Sequence, residues 1–378
     1  MAAELKKLAE NRPLRVIGLM SGTSMDGVDA AWVETDGETV TAFGPSEALS
    51  FPPDFRARLH TFISDVPPKD HPDTASLEAE LTDLHATAVK AVIAKAGTTP
   101  DLIGFHGQTI WHRPKLSMTW QIGDGARLAK AVGVPVVYDF RSNDVKHGGQ
   151  GAPLMPLFHV ALSAHMPKPV GVLNIGGVSN ITWIGERTDG LNGNSFPFAI
   201  LGFDTGPGNA LMDDWMLKHT GHTMDKNGAA ARKGKVDEQL LAELMISPFI
   251  RQRPPKSLDR LAFDATVLNG LNVEDGAATL AEFTAATVAA SLMHCPSKPT
   301  RLLVTGGGRR NPVLMERLAA LTHIPIEPVE VTGWNGDMME AQGFAYFAAR
   351  SVRGLPLTYP EVTGAPTPLE GGVLALPG

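Results

Sequence analysis

Short apolar runs that stop at small, polar turns recur along the chain, and they set the predicted elements. Arg15 to Leu19 reads as a β run ending in Met20-Ser21-Gly22-Thr23-Ser24-Met25-Asp26-Gly27, after which an apolar run resumes from Val28 to Val33. That is strand, tight turn, strand. Between Asp73 and Gly97, residues Leu77, Leu81, Leu84, Val89 and Val92 recur at three- to five-residue spacing, with Asp73 or Thr74 placed to cap and a glycine at the end. This pattern predicts an amphipathic helix. It feeds a strand from Asp101 to His106, then a helical stretch from Gly125 to Val132 and an apolar run from Val134 to Phe140. The order α, β, α, β predicts sheets covered by helices, an α/β chain.

Pro169 to Ile175 is a second strong strand, ending at Gly176-Gly177-Val178-Ser179-Asn180 and resuming from Ile181 to Ile184. It repeats the layout of the first hairpin, which predicts a duplicated architecture with one phosphate-facing hairpin per lobe and a nucleotide between them. Ala277 to Cys295 carries Leu280, Phe283, Val288 and Leu292 at near-helical spacing; Leu302-Leu303-Val304 is a strand running into Gly306-Gly307-Gly308, and Asn311 to Leu321 is a helix. The Pro-, Gly- and Thr-rich tail after Arg353 reads as loop packed on a lobe.

Length and composition add limits. A chain of 378 residues exceeds one ordinary core and predicts two lobes. With 43% hydrophobic and 19% charged residues it is globular, and a net charge of -7 without a basic stripe argues against nucleic-acid binding. The single cysteine, Cys295, closes an apolar stretch and reads as core filler in a reducing compartment. The first fifteen residues lack the apolar core of a secretory signal, and no run approaches the ~18 apolar residues of a membrane span. The expectation is a cytoplasmic protein with no membrane partner.

Several turns could carry chemistry. Ser21 to Asp29 supplies hydroxyls and glycine backbone able to wrap a polyphosphate, with Asp26 or Asp29 facing a magnesium-bound water; a plain capped turn reads equally well. A P-loop fails, because no Gly-Lys-Ser and no helix follow. Gly176-Gly177 would form the opposite jaw, and Gly306-Gly307-Gly308 before a helix start could lie against a nucleoside. Gly202-Phe203-Asp204-Thr205-Gly206-Pro207-Gly208-Asn209 places Asp204 in a rigid turn at a strand end, as a general base or as an acceptor for its own turn. Arg141, in the polar loop Asp139 to Asp144, could fork onto a substrate carboxylate or pair with Asp144. His106-Gly107-Gln108-Thr109 offers further polar edges, and Glu340 could enter a cleft or cap a helix. No residue group has zinc spacing, and no Gly-x-Ser-x-Gly elbow supports a hydrolase.

The strings Gly18 to Asp29, Gly104 to Thr109, Gly148 to Pro153 and Gly202 to Asn209 together resemble the anhydro-N-acetylmuramic acid kinase family, over roughly residues 14 to 375. The resemblance implies a two-lobed actin-like ATPase fold, ribonuclease H-like and duplicated, with an active-site cleft between lobes. The expected lobes are 14–138 plus 350–378, and 139–349. It implies a hydrolytic kinase of peptidoglycan recycling that turns ATP, water and 1,6-anhydro-N-acetylmuramic acid into N-acetylmuramic acid 6-phosphate and ADP, in a homodimer. By motif, Gly22, Thr23, Ser24, Met25, Asp26, Gly27, Val28 and Asp29 would contact ATP, with Asp26 reaching Mg²⁺ through water. Gly176 and Gly177 would form the second phosphate loop, and Gly306, Gly307 and Gly308 would face the nucleoside. Asp204 would be the base acting on water. Arg141, Glu340 and His106 would hold the sugar. An ordinary hydroxyl-phosphorylating sugar kinase and a non-catalytic sugar-sensing ATPase-fold protein are the competing readings. The polar stretch Glu186 to Ser195 reads as a surface insertion, and Pro254-Pro255-Lys256-Ser257 also resembles a family segment, without a derived role.

Overall fold

A computed structural model of the chain describes residues 6, 7, 10–22, 24–187, 198–258, 263, 268 and 270–378. Thr23 and most of the expected insertion before Asp204 lie outside the described residues. In chain order the strands are β1 (Leu14–Met20), β2 (Gly27–Thr35), β3 (Val40–Ser50), β4 (Leu102–Phe105), β5 (Gln108–Arg113), β6 (Met118–Ile122), β7 (Val136–Tyr138), β8 (Val170–Ile175), β9 (Val178–Arg187), β10 (Phe198–Pro207), β11 (Leu302–Thr305), β12 (Ile326–Pro328) and β13 (Val373–Ala375). The helices that matter here are α1 (Pro53–Ser64), α2 (Thr74–Ala96), α3 (Gly125–Val132), α4 (Ser142–Lys146), α5 (Ala210–Thr220), α6 (Pro248–Arg251), α7 (Val273–Ser291), α8 (Pro312–Thr322) and α9 (Met339–Arg353).

The chain divides into two compact units. The first takes Met1–Ala164 and Met338–Gly378; the second takes His165–Leu191 and Phe196–Asp337. These boundaries differ from the expected 14–138 plus 350–378 and 139–349. The reason is α9, which packs flat on β1 and β4. A β-carbon at Gly18 would fall 1.8 Å from Ala341 O, and one at Gly104 would fall 2.1 Å from Phe344 O. Only glycine in the two strands admits a helix backbone this close, so residues 338–349 stay with the first unit.

In the first unit the sheet order is β13-β7-β4-β1-β2-β3. The β1-β2 and β2-β3 pairs are antiparallel, and β1-β4 and β4-β7 are parallel. Its core gathers Ile17, Leu19, Phe55, Leu81, Val89 and Phe105. Helix α2 spans the periodic stretch and ends at Gly97 with φ 66, although the Asp73 side chain makes no capping bond. The tail is not wholly loop: β13 adds an antiparallel edge to β7. Its three residues are too short for periodicity to register.

In the second unit the sheet order is β10-β9-β8-β11-β12, with β8-β9 and β9-β10 antiparallel and β8-β11 and β11-β12 parallel. Five strands of each unit thus share one order, third-second-first-fourth-fifth, and one pattern of direction. This is the duplicated ribonuclease H-like arrangement of an actin-like ATPase. The core holds Leu173, Ile175, Phe203, Val288, Val304 and Leu314. Asn311 opens α8 as expected, its Oδ1 accepting Val313 N at 3.1 Å and Leu314 N at 3.2 Å.

Val273–His294 is long and apolar enough by length and composition to cross a membrane, against the expectation that no run would be, and 72% of its apolar window is buried in the folded chain. Thr279, Thr284 and Thr287 return their hydroxyls to backbone carbonyls and so sit in the core as if apolar.

Candidate active site

The two hairpin tips and the Gly306-Gly307-Gly308 turn after β11 divide their glycines into tightly packed positions and positions with room for a β-carbon. A β-carbon at Gly27 would meet Leu49 O at 2.2 Å, and one at Gly308 would meet Ile175 Cγ2 at 2.4 Å. Gly306, at φ 76, would meet Asn174 Oδ1 at 2.4 Å. These three residues serve packing. By contrast, a β-carbon at Gly22, Gly176 or Gly177 would find its nearest neighbour at 3.7 Å, and one at Gly307 at 3.5 Å. At those four positions a β-carbon would make only ordinary contacts, so close packing does not account for the glycines, and backbone of this kind can let a polyphosphate approach.

Around the first tip, Met25 N donates to Gly22 O at 3.1 Å, and Met25 holds φ 54. Ser24 is exposed, Asp29 is partly buried on β2, and Val28 is buried in the core, leaving only its backbone to serve a ligand. Asp26 is exposed and lies 2.5 Å from Arg56 Nη2. Among the described residues no group of three His, Cys, Asp or Glu side chains could hold a metal. The second tip is tied to the start of α5: Gly208 N donates to Gly177 O at 2.9 Å and Asn209 N to Gly176 O at 2.7 Å.

Three of the expected sugar-binding residues meet in the first unit. His106 follows β4, and its Nδ1 donates to Gly107 O at 2.8 Å. Arg141 Nε donates to His106 Nε2 at 3.0 Å, and Arg141 Nη1 donates to Gly151 O at 2.7 Å. A ring nitrogen that accepts carries no proton, so His106 is neutral with its proton on Nδ1. Burial, then the Arg141 charge, hold its pKa well below the ordinary value. Phe344 of α9 stacks on the ring at 4.5 Å between centroids.

Glu340 lies one turn before Phe344, in the first turn of α9, and makes no capping bond. Burial pushes its carboxyl upward while the Arg141 charge opposes. Arg141 in turn is lowered to about 10 by burial, with Glu340 and Asp144 opposing. The alternative Arg141–Asp144 pair does not form, because Asp144 already accepts Gly151 N at 2.6 Å and Thr363 Oγ1 at 2.7 Å. Nor is the segment after Asp139 all loop: Ser142–Lys146 is α4. The result is a guanidinium aimed by neutral acceptors, among the described residues paired directly with no carboxylate. Such a group is suited to an anionic ligand.

Asp204 sits in the second unit, within β10 and not in a turn beyond it. The strand tolerates Gly206-Pro207 because β10 is the sheet edge and because a β-carbon at Gly206 would meet Thr287 Oγ1 of α7 at 2.5 Å. A register shift between Asp204 and Gly206 marks a bulge. Leu258 N donates to Asp204 Oδ2 at 2.7 Å, and Asp204 N donates to Lys256 O at 3.1 Å. Burial raises the Asp204 carboxyl from 3.8 to about 6, with the Leu258 N–H and the Lys256 charge opposing. A carboxylate with that pKa is poised to take a proton near neutrality.

A model of the anhydro-N-acetylmuramic acid kinase family matches residues 14–376. The chain belongs to that family. A relative from Rhodospirillum rubrum bearing that name is 49% identical over 356 residues, 94% of this chain and 92% of the relative. Another from Acidiphilium cryptum is 50% identical over 370 residues, 97% of this chain and 99% of the relative. Among solved structures, a ROK family glucokinase from Streptomyces griseus is similar over 89% of this chain and 99% of its own, at 15% identity and a TM-score of 0.40.

Sequence reasoning for this family member passed over Lys256. Its ammonium donates to Phe249 O at 3.2 Å and Ile250 O at 3.3 Å, and it lies 4.6 Å from the Phe249 ring centroid and 5.6 Å from that of Phe203. The signal available was one lysine in a Pro-Pro-Lys-Ser string. Cys295 is partly buried against the second unit's core, its thiol pushed up to about 12 by burial.

Proposed function

We propose that the chain is an ATP-dependent hydrolytic kinase acting on 1,6-anhydro-N-acetylmuramic acid. The observation that carries this reading is the state of Asp204. Oδ2 is held by Leu258 N–H, while among the described residues Oδ1 accepts no hydrogen bond, and the carboxyl sits at about 6. The bridging oxygen of an intramolecular acetal has no proton to remove, so a base here acts on water.

In the proposed step Asp204 takes a proton from water as its oxygen bonds to the anomeric carbon. The bond from that carbon to O6 breaks, O6 takes up the γ-phosphoryl group, and ADP leaves. Arg141, oriented by His106 and Gly151, takes the lactyl carboxylate, and Glu340 helps hold the sugar. The backbones at Gly22, Gly176, Gly177 and Gly307 serve the nucleotide. Phosphoryl transfer asks chiefly for positioning and charge neutralisation.

Mg²⁺ would supply that neutralisation at the phosphates. It keeps several waters and needs few protein carboxylates, so one exposed acid such as Asp26 fits, through water and in competition with Arg56. A cytoplasmic homodimer completes the reading.

Isotopically labelled water tests the step. Label is expected at C1 of the phosphorylated product. Its absence, with sugar phosphate still formed, would replace the hydrolytic reading by ordinary phosphorylation of a hydroxyl. ATP binding with no sugar phosphate formed would favour the sensor.

A further inference from the structure

Lys256 is 5% exposed, too buried to meet a phosphate from solvent. A buried ammonium is costly unless its donors are satisfied. Two of them are, by the carbonyls of Phe249 and Ile250 at the end of α6. The same residue's carbonyl takes Asp204 N at 3.1 Å, and two residues on, Leu258 N reaches Asp204 Oδ2 at 2.7 Å. The segment from Phe249 to Leu258 is thus folded over its own lysine and delivers one backbone N–H to the carboxylate.

We infer that Lys256 is a positioning residue for Asp204: its ammonium pins the 249–258 segment so that Leu258 N–H stays on Oδ2, and its charge keeps Asp204 ionised inside a buried site. This rests on the reading of Asp204 as base. Two effects reach Asp204 from the segment, one through the Leu258 bond and one through space, and both oppose the burial that raises the carboxyl to about 6. The lysine responds in kind: burial lowers it to about 8, and Asp204 opposes. Among the described residues, the other titratable group that feels Lys256 is His294 beyond α7, which also feels Arg253 of the same segment. Burial first and the Lys256 charge second hold His294 below its ordinary value.

The test is the acid limb of the kcat/KM profile, measured with ATP, Mg²⁺ and 1,6-anhydro-N-acetylmuramic acid on the full chain. Lys256→Met keeps the stem and removes the charge. Its acid limb is expected about one pH unit higher, which is roughly tenfold lower kcat/KM at a fixed pH on that limb. Lys256→Arg keeps a charge and is expected to leave the limb near its original place, with a smaller loss of kcat from the altered fit to the two carbonyls. A merely structural lysine would lower activity at every pH and leave the limb unmoved in folded Lys256→Met; that result overturns the proposal. Should Lys256→Met fail to fold, a limb in folded Lys256→Gln that matches the unaltered protein overturns it equally. Asp204→Asn, assayed alongside, separates the two ideas. If it turns over near normally, the base reading fails; if it is inactive while the limb of Lys256→Met stays put, only the lysine proposal fails.

Discussion

Arg141 Nε lies 3.0 Å from His106 Nε2, and that contact fixes both groups, the imidazole as a neutral acceptor and the guanidinium in the orientation that Gly151 O also holds. Lysine cannot reproduce a fork held from behind. Arg141→Lys is therefore expected to raise KM for the anhydro-muramic sugar by about tenfold to a hundredfold, the size of a charge-assisted pair, with a smaller effect on kcat. The control is anhydro-N-acetylglucosamine, which has no lactyl carboxylate. Steady-state assays in which both sugars suffer equally would remove Arg141 from carboxylate recognition.

Asp204→Asn preserves size and the acceptor for Leu258 N–H but cannot take a proton. Turnover is expected to fall by at least about a hundredfold, the usual worth of a general base, with sugar binding retained by calorimetry. Near-normal ADP formation would end the assignment.

The same substitution has a pH-dependent effect on stability. A carboxyl raised from 3.8 to about 6 by burial destabilises the folded state, fully above the folded pKa and not at all below the unfolded one. Asp204→Asn is expected to be more stable than the unaltered chain at pH 8, by on the order of 2 kcal/mol, and the advantage should vanish below about pH 4. Thermal melts at both pH values decide; an equal difference at each would show that ionisation is not the cause.

Gly177→Ala adds a methyl where the nearest neighbour would be 3.7 Å away, so folding should be unaffected. If the hairpin backbone serves phosphates, KM for ATP rises by roughly tenfold or more while the melting temperature holds within a few degrees. An unchanged KM for ATP would detach this tip from the nucleotide.

Gly104→Ala should behave in the opposite way. Its methyl would fall 2.1 Å from Phe344 O, so α9 must move or the strand must bend, at a cost of about 1–3 kcal/mol or more. Gly307→Ala, whose methyl would meet nothing closer than Asn209 Nδ2 at 3.5 Å, is the comparison for the same chemical change. Urea unfolding in which Gly104→Ala matches Gly307→Ala would contradict the close packing of β4 and α9.

Local signals carried far in some places and not at all in others. Helix α3 runs from Gly125 to Val132, as the pattern of residues predicted, and α8 starts behind Asn311 because an Asn side chain there can accept the first free N–H groups. Asp204 was misplaced into a turn because glycine and proline outweigh a short apolar alternation. Their tolerance in β10 depends on an edge position and on Thr287, some eighty residues later in the chain. Lys256 gave no periodic or charge signal, since its role depends on where its own segment folds back.

Hairpins, the Asn311 cap and the repeated strand-turn-strand layout were set by the sequence itself, because each depends on residues a few positions apart. Long-range contacts decided the rest. They assigned α9 and Glu340 to the first unit, gathered His106, Arg141 and Glu340 from three distant stretches, and set Asp204 against the segment that carries Lys256. A carboxyl is shifted and a guanidinium is aimed by whatever the fold packs around them, and spacing along a chain does not record that surrounding.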